Sequence, residues 1–234
     1  MSKRALVLRA AQLAVAALLL VGCGGEESQT GSATLWVTRD RGDDVLLVRT
    51  VPAGITALQA LRGEADVETR YGGRFVQSIE GLSGSSTGRR DWFYFVNGLE
   101  LDRGATEYRL HRGDILWWDF RSWARTMRAP VVVGAFPEPF LHGFDGKRRK
   151  AVVRAEAPAL LPAARALARV VRGRATLGTP PDGANVLVVR AAPIQFSARG
   201  SDPGSPVEFR INAEDAIRLA GNPELARYRY EGLP

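Results

Sequence analysis

The chain contains a single cysteine, Cys23, so no disulfide can form within it and the fold must be stabilised by packing. Of its 234 residues, 45% are hydrophobic and 24% are charged, a composition that is able to bury a core. A chain of this length provides for one or two domains of ordinary size. The sequence therefore predicts a globular protein without covalent cross-links.

The first 22 residues resemble a signal peptide that ends at a lipid-attachment site. Lys3, Arg4 and Arg9 precede an apolar segment, 10–21, that is too short to span a bilayer. The following run, Leu-Val-Gly-Cys, resembles a bacterial lipobox, in which the cysteine thiol is acylated and the cysteine becomes the mature N-terminus. A buried structural cysteine is the alternative, but the glycines that flank Cys23 build no core. We expect an exported lipoprotein, anchored through Cys23 to the outer face of the bacterial cytoplasmic membrane.

The charge of the chain is a weak indicator of its partners. The formal net charge falls from +7 to +4 when the three cations of the signal peptide are removed. An exported protein with so mild a positive charge is not expected to bind nucleic acid. The one dense basic run, Lys147-Arg148-Arg149-Lys150, is most simply a solvated loop, and contact with anionic lipid headgroups is the alternative.

Composition and periodicity divide the chain further. Residues 23–32 are polar, without hydrophobic periodicity, and predict a flexible tether. Residues 33–123 predict a strand–strand–helix–strand–strand order, with Thr56 capping the helix and Asn97-Gly98 forming a two-residue hairpin turn. Residues 124–130 predict a linker. The strands are expected at Ala33–Thr38, Val45–Val51, Glu68–Tyr71, Phe75–Ile79, Trp92–Val96, Leu99–Leu101 and Ile115–Phe120.

Residues 131–234 predict a second, smaller α+β domain of unknown role. Its clearest element is an amphipathic helix between Ala159 and Arg172, with apolar residues on one face and arginines on the other. A short last helix is expected at Glu214–Ala220. Strands are expected at Val131–Val133, Ala151–Ala155, Val186–Arg190 and Val207–Ile211. The fold class is therefore α+β throughout.

The stretch from about Ala33 to Phe120 resembles a bacterial domain-of-unknown-function family. The resemblance rests on the segments 73–82, 92–98, 104–108 and 112–115. That family is similar to the C-terminal domain of the cobalamin carriers transcobalamin and intrinsic factor. The resemblance implies a β-grasp-like fold and, in the carriers, closure over one face of a corrinoid. The carriers also use a large helical domain, for which this chain has no counterpart.

No motif in the sequence predicts catalysis or a cofactor. The segment Gly84-Ser85-Ser86-Thr87-Gly88 matches the G-x-S-x-G sequence motif of a nucleophile elbow. That motif requires a helix after the serine, but a further strand is expected here. His111 and His142, the only histidines, have no neighbouring histidine or cysteine and do not predict a zinc site. We therefore expect a protein that is not an enzyme and binds no metal.

An aromatic sheet face is the main candidate for a binding site. Side chains alternate between the two faces of a strand, and we expect the wholly apolar sets to form the core. The remaining sets place Trp36, Trp92, Tyr94 and Trp117 together on the opposite face. This face is predicted either to be covered by the second domain or to stack on a ring-bearing small molecule, such as a corrinoid, another vitamin or a glycan. Ligand capture for a transporter component and a structural or interaction role in the cell envelope both remain open.

Overall fold

The structure is a computed structural model that describes residues 31–234. The predicted signal peptide, Cys23 and all of the predicted tether except its last two residues lie outside the described residues. Among residues 31–234, none of the helices is both long and apolar enough to cross a bilayer.

The N-terminal half begins with a hairpin and one short helix. Thr56 caps this helix through a reciprocal capping box with Gln59, and Gly63 follows its last residue, as predicted. A 3₁₀ helix at Tyr71–Gly73 connects the third and fourth strands. The elements are β1 (Ser32–Arg39), β2 (Asp44–Pro52), α1 (Ala57–Arg62), β3 (Val67–Arg70), β4 (Phe75–Ile79), β5 (Leu82–Ser83), β6 (Arg90–Val96), β7 (Leu99–Glu100) and β8 (Ile115–Ser122).

These strands form two sheets. The N-terminal sheet has the order β2-β1-β8-β6-β7, and the small sheet has the order β3-β4-β5. β1 is parallel to β8 at the centre of the N-terminal sheet, while the other neighbours in that sheet are antiparallel. Leu58 and Leu61 of α1 are buried in the same cluster as Leu35 and Leu116. A helix packed on a mixed sheet whose first and last strands are parallel neighbours is the β-grasp-like arrangement expected.

The C-terminal half forms a third sheet, the C-terminal sheet, with the order β10-β9-β11-β13-β12. Three of its four strand pairs are parallel, which crossover connections such as the one through α2 make possible. The expected helices are confirmed to within a few residues. The elements are β9 (Ala151–Ala155), α2 (Leu161–Val170), β10 (Arg174–Thr176), β11 (Asn185–Arg190), β12 (Ser197–Arg199), β13 (Glu208–Asn212) and α3 (Ala213–Gly221), with 3₁₀ helices at Pro158–Leu160 and Pro223–Ala226.

The α+β class is confirmed, but one predicted strand is wrong. The segment Val131–Val133 does not join the C-terminal sheet. Val131 makes an isolated bridge to Leu99, and a 3₁₀ helix follows at Val133–Ala135. A short run of valines cannot distinguish a strand from any other buried extended segment. Here the run packs on the Asn97-Gly98 hairpin turn, where the Val132 N–H donates to the Gly98 carbonyl at 2.9 Å.

The Asn97-Gly98 turn confirms the predicted hairpin, since both residues have positive φ, +53° and +77°. Asn97 is also fully buried. Its side-chain amide donates to the Asp114 carboxylate at 2.8 Å and to the Gly143 carbonyl at 2.9 Å. The amide oxygen accepts from the Ile115 N–H at 2.8 Å. One side chain thus ties the N-terminal sheet to the segment that leads into the C-terminal sheet.

Two histidines lie where these halves meet. His142 Nδ1 is 2.5 Å from Glu138 Oε1, and His111 Nδ1 is 3.6 Å from Asp114 Oδ2. Both carboxylates are buried. The hydrogen bond with Glu138 raises the pKa of His142 above its usual value, the neighbouring Asp114 carboxylate raises the pKa of His111, and partial burial opposes both shifts.

A pH dependence of stability follows. A histidine whose pKa is higher in the folded state stabilises the fold fully below its unfolded pKa, about 6.5. That stabilisation is lost as the pH rises through the folded pKa. We expect the free energy of unfolding to fall modestly between pH 6 and pH 8.5, measured by urea denaturation. His142→Gln keeps a donor near Glu138 but cannot titrate, so its curve should be flatter. An equally steep curve for the variant would contradict the assignment to His142.

Candidate functional site

The four aromatic residues predicted to share one face do not share it, and this prediction is wrong. β6 pairs with β8 so that Trp92 lies opposite Phe120 and Tyr94 lies opposite Trp118, which places both on the inner face with α1. Trp36 and Trp117 are paired neighbours on the outer face. Alternation groups residues by face, but it identifies the core face only when the other face is solvated. Here both faces are covered.

The outer face is closed by the C-terminal half, which agrees with the interface interpretation. The rings of Trp36 and Tyr228 meet edge to face at 4.7 Å, and those of Trp117 and Tyr230 at 5.6 Å. Val132 and Ala135 complete this cluster. Trp36 and Trp117 are therefore packing residues in this structure.

A buried polar network lies within this interface. Trp117 Nε1 donates to Thr38 Oγ1 at 2.7 Å, and the Thr38 hydroxyl donates to Asp119 at 2.6 Å. The Tyr230 hydroxyl donates to the other oxygen of Asp119 at 2.8 Å. Burial raises the pKa of Asp119, and these hydrogen bonds only partly offset that effect. Burial likewise raises the pKa of Tyr230 well above its usual value.

The candidate site is an open cleft of about 660 Å³ at the free edge of β6. β7 pairs only with Phe95 and Val96, so the first half of β6 has no neighbouring strand on that side beyond an isolated bridge between Ser85 and Arg90. Side chains from both faces of β6 reach this edge. The aromatic cleft, as we name it, is lined by Tyr71, Phe75, Trp92, Phe93, Trp123 and Met127, together with Arg70, Gln77, Gly84, Ser85, Ser86 and Asp91.

The wall of the aromatic cleft is held rigidly. Trp92 Nε1 donates to the Leu82 carbonyl at 2.8 Å, which joins β6 to the small sheet. Phe93 lies under the guanidinium of Arg121, whose Cζ is 3.6 Å from the ring centre. Arg121 also donates to the carbonyls of Thr126 and Met127, both at 2.9 Å. The predicted linker therefore forms one side of the cleft.

The rim of the aromatic cleft carries apolar side chains exposed to solvent. Tyr71 is 79% exposed and Met127 is 56% exposed, while Phe75, Phe93 and Trp123 are partly exposed. The polar residues are fewer. Burial raises the pKa of the Asp91 carboxyl, although its hydrogen bond from the Trp92 N–H opposes the shift. An aromatic wall with a few directed polar groups is the usual composition of a small-molecule site.

Of the predicted site residues, Trp92 and Tyr94 lie near this cleft. Trp92 lines it, although the ring is nearly buried against Phe120. Tyr94 lines an adjoining cavity of about 160 Å³, where it stacks on Trp118 at 4.8 Å. Burial raises the pKa of the Tyr94 hydroxyl far above its usual value. Sequence reasoning missed Tyr71 and Trp123, and the Gly72-Gly73 turn beside Tyr71 was the available signal.

The serine-rich loop does not have the geometry of a nucleophile elbow. The Gly84–Gly88 loop runs from β5 into β6, a strand–turn–strand path without the helix that strains a nucleophile elbow. Ser85 Oγ accepts from the Gly88 N–H at 2.9 Å within the loop. Within residues 31–234, no group of three or more His, Cys, Asp or Glu side chains is placed to hold a metal ion.

Comparisons with known proteins concern the first half of the chain. Residues 54–122 match the model of a family described as a domain of unknown function, DUF4430. The match spans α1, β3 to β8 and most of the aromatic cleft, and confirms the resemblance to a domain-of-unknown-function family over these residues. No curated protein matches the sequence.

Two solved structures show weak similarity to this chain. One is haptocorrin in complex with Cbi, at a TM-score of 0.33 and 22% identity, covering 38% of this chain and 24% of that chain. The other is a candidate metal-binding protein from Ruminococcus gnavus ATCC 29149, at a TM-score of 0.33 and 16% identity, covering 39% of this chain and 97% of that chain. The chain thus spans about a quarter of the haptocorrin chain. Structural similarities with a TM-score of 0.33 do not assign a function.

Proposed function

We propose that the protein is an exported, lipid-anchored binding protein that captures a small ring-bearing ligand in the aromatic cleft. The observation that carries the proposal is the cleft itself, about 660 Å³ in volume and lined by five aromatic rings. Pockets of roughly 300–1,000 Å³ with apolar walls are typical of small-molecule sites. A ring too large to enter fully could rest one face or edge on the wall. Corrinoids and other vitamins are the ligands we propose, with delivery to a transporter component of an uptake system.

The structure supports a division of roles among the cleft residues. Phe93 and Trp92 are held by Arg121 and by the Leu82 carbonyl, so they form a preorganised wall. Tyr71 and Met127 are exposed at the rim and are free to close over a bound ring. Asp91 and Gln77 offer a carboxyl and an amide that can orient polar groups of the ligand. Binding would therefore depend on stacking, with polar contacts selecting the orientation.

Removing one rim aromatic tests this proposal. Tyr71→Ala is expected to weaken cobinamide or cobalamin binding roughly three- to tenfold, since one aromatic contact contributes about 0.5–1.5 kcal/mol. Tyr71 is mostly exposed, so the fold should tolerate the change. Intrinsic tryptophan fluorescence, corrected for ligand absorbance, and calorimetry both measure the affinity.

The matched control is Ile217→Ala, which removes a 62% exposed apolar side chain from α3, outside the cleft. It should bind like the wild type. Equal weakening in the two variants would exclude the aromatic cleft as the site. No saturable signal with either corrinoid would reject the corrinoid form of the proposal.

A non-catalytic interaction module is the second candidate, and the edge strand β2 favours it. β2 forms one edge of the N-terminal sheet, and Val45, Leu46 and Val48 on it are each more than 40% exposed. An open edge of this kind can pair with a strand of another protein. This candidate shares the lipid anchor and the absence of catalysis with the first.

A further inference from the structure

One end of the molecule carries a cluster of cations without ion-pair partners among the described residues, and the described chain begins there. Gly31 lies against Arg112, since a Cβ on Gly31 would be 2.8 Å from Arg112 Cγ. The next residue, Gly113, lies against the ring of His142, where a Cβ would be 2.5 Å from Nε2. Gly143 in turn packs on the backbone of Lys147 and Arg148. The start of β1 and the basic run are thus joined by a short series of direct contacts.

We name this surface the basic end. It consists of Arg112, Lys147, Arg148, Arg149, Lys150, Arg172 and Arg174. Within residues 31–234, none of these seven cations forms an ion pair with Asp or Glu within 4.0 Å. The nearby carboxylates are already engaged, since Glu138 contacts His142 and Asp114 accepts from Asn97. The positive charge there is not neutralised by the chain.

The fold holds part of this charge in place. Arg148 donates to the carbonyls of Phe140 at 2.7 Å and Arg172 at 2.8 Å. Arg149 donates to the carbonyl of Gly204 at 2.8 Å. A groove of about 380 Å³ runs between the basic run and the residues that follow α2. These hydrogen bonds hold Arg148 and Arg149 in fixed positions beside the groove.

We propose that the basic end lies against the membrane and binds the headgroups of anionic lipids. The proposal rests on the proposed lipid anchor at Cys23. Only seven residues lie between Cys23 and Gly31, so the eight steps from one to the other reach at most about 29 Å even when fully extended. The anchor would therefore hold the end that carries Gly31 within about 29 Å of the bilayer surface, close enough for it to contact the headgroups. A cluster of cations so placed is attracted to an anionic surface.

This orientation points the aromatic cleft away from the membrane. β1 runs eight residues from Ser32 to Arg39, about 26 Å at the usual rise of a strand. At its far end, Asp40 pairs with Arg90, and Arg90 bridges to Ser85 in the wall of the cleft. The start of β1 and the cleft thus lie at opposite ends of the N-terminal sheet. A tethered protein with the basic end docked would present its cleft to the external medium.

Limited proteolysis of the full lipidated chain tests the orientation. The protein is purified from bacterial membranes and reconstituted into vesicles of phosphatidylcholine alone or with 30% phosphatidylglycerol. Trypsin cleavage within Lys147–Lys150 should be at least about fivefold slower on the anionic vesicles, because bound headgroups shield the run. Cleavage after Arg89, in the exposed loop at the cleft end, should be equal on both. High salt should abolish the protection.

Charge-reversal variants supply the matched comparison. Arg172→Glu with Arg174→Glu should lose the protection of the basic run. The control, Arg125→Glu with Arg128→Glu, changes the net charge by the same amount on exposed residues at the cleft end. This variant should keep the protection of the basic run. Equal cleavage on the two vesicle types, or protection by inorganic phosphate alone without vesicles, would overturn the proposal.

Flotation with neutral vesicles tests the lipid anchor independently of the orientation. A chain that floats with phosphatidylcholine but shows equal cleavage rates on both vesicle types keeps the anchor and overturns the orientation. A chain that fails to float with neutral vesicles, yet is protected by anionic ones, refutes the anchor and supports lipid binding by the basic end.

Discussion

Trp117→Ala is expected to lower the free energy of unfolding by about 3–5 kcal/mol, the usual range for removal of a large buried aromatic side chain. Trp117 is fully buried between the rings of Trp36, Phe95 and Tyr230. Its indole N–H is the donor to Thr38 in the network around Asp119. The substitution would therefore leave a cavity and remove one hydrogen bond at the same time.

Chemical denaturation followed by circular dichroism measures this loss. Trp117→Phe is the matched control, since it keeps most of the ring and removes the donor, and it should cost about 1–2 kcal/mol. A Trp117→Ala protein as stable as the wild type would contradict the structure. Such a result would instead favour the expectation from sequence that Trp117 is an exposed, ligand-binding residue.

Asn97→Ala is expected to destabilise the protein by about 2–4 kcal/mol, because it removes three hydrogen bonds made by a fully buried side chain. The Asp114 carboxylate, the Gly143 carbonyl and the Ile115 N–H all bind the Asn97 amide. Alanine also tolerates the positive φ of this position, +53°, less well than asparagine. The loss should loosen the N-terminal sheet from the segment around Gly143.

Asn97→Gly separates the two contributions. Glycine adopts positive φ freely, so it removes the backbone strain but not the loss of the amide. We expect it to recover only a minor part of the lost stability, as judged by thermal and urea unfolding. Full recovery would mean that the buried hydrogen bonds of Asn97 contribute little.

The two ends of the molecule suggest how the proposed roles fit together. The basic end holds seven cations without ion-pair partners among the described residues, and the aromatic cleft holds the exposed ring of Tyr71 and the partly exposed ring of Trp123. Anchoring at one end leaves the other available to ligand or partner. The proteolysis and binding experiments address these ends independently, so either proposal can fail alone.

Local patterns in the sequence determined much of the secondary structure. The Thr56 cap, the Asn97-Gly98 turn and the strand at Phe75–Ile79 were all predicted where they occur, because each depends on neighbouring residues. The amphipathic helix of the second half was predicted for the same reason, as 3.6-residue periodicity is a local property. The signal peptide and the lipid site on Cys23 remain predictions from sequence.

Only the tertiary structure decided which faces and edges are free. Alternation could not show that Trp92 and Trp117 lie on opposite faces of the N-terminal sheet, because that depends on the register between β6 and β8. It also could not show that Tyr230, more than 100 residues from Trp117, covers the outer face. The aromatic cleft arises because β7 is too short to pair with all of β6. Contacts between residues far apart in sequence decide such matters, and no local pattern records them.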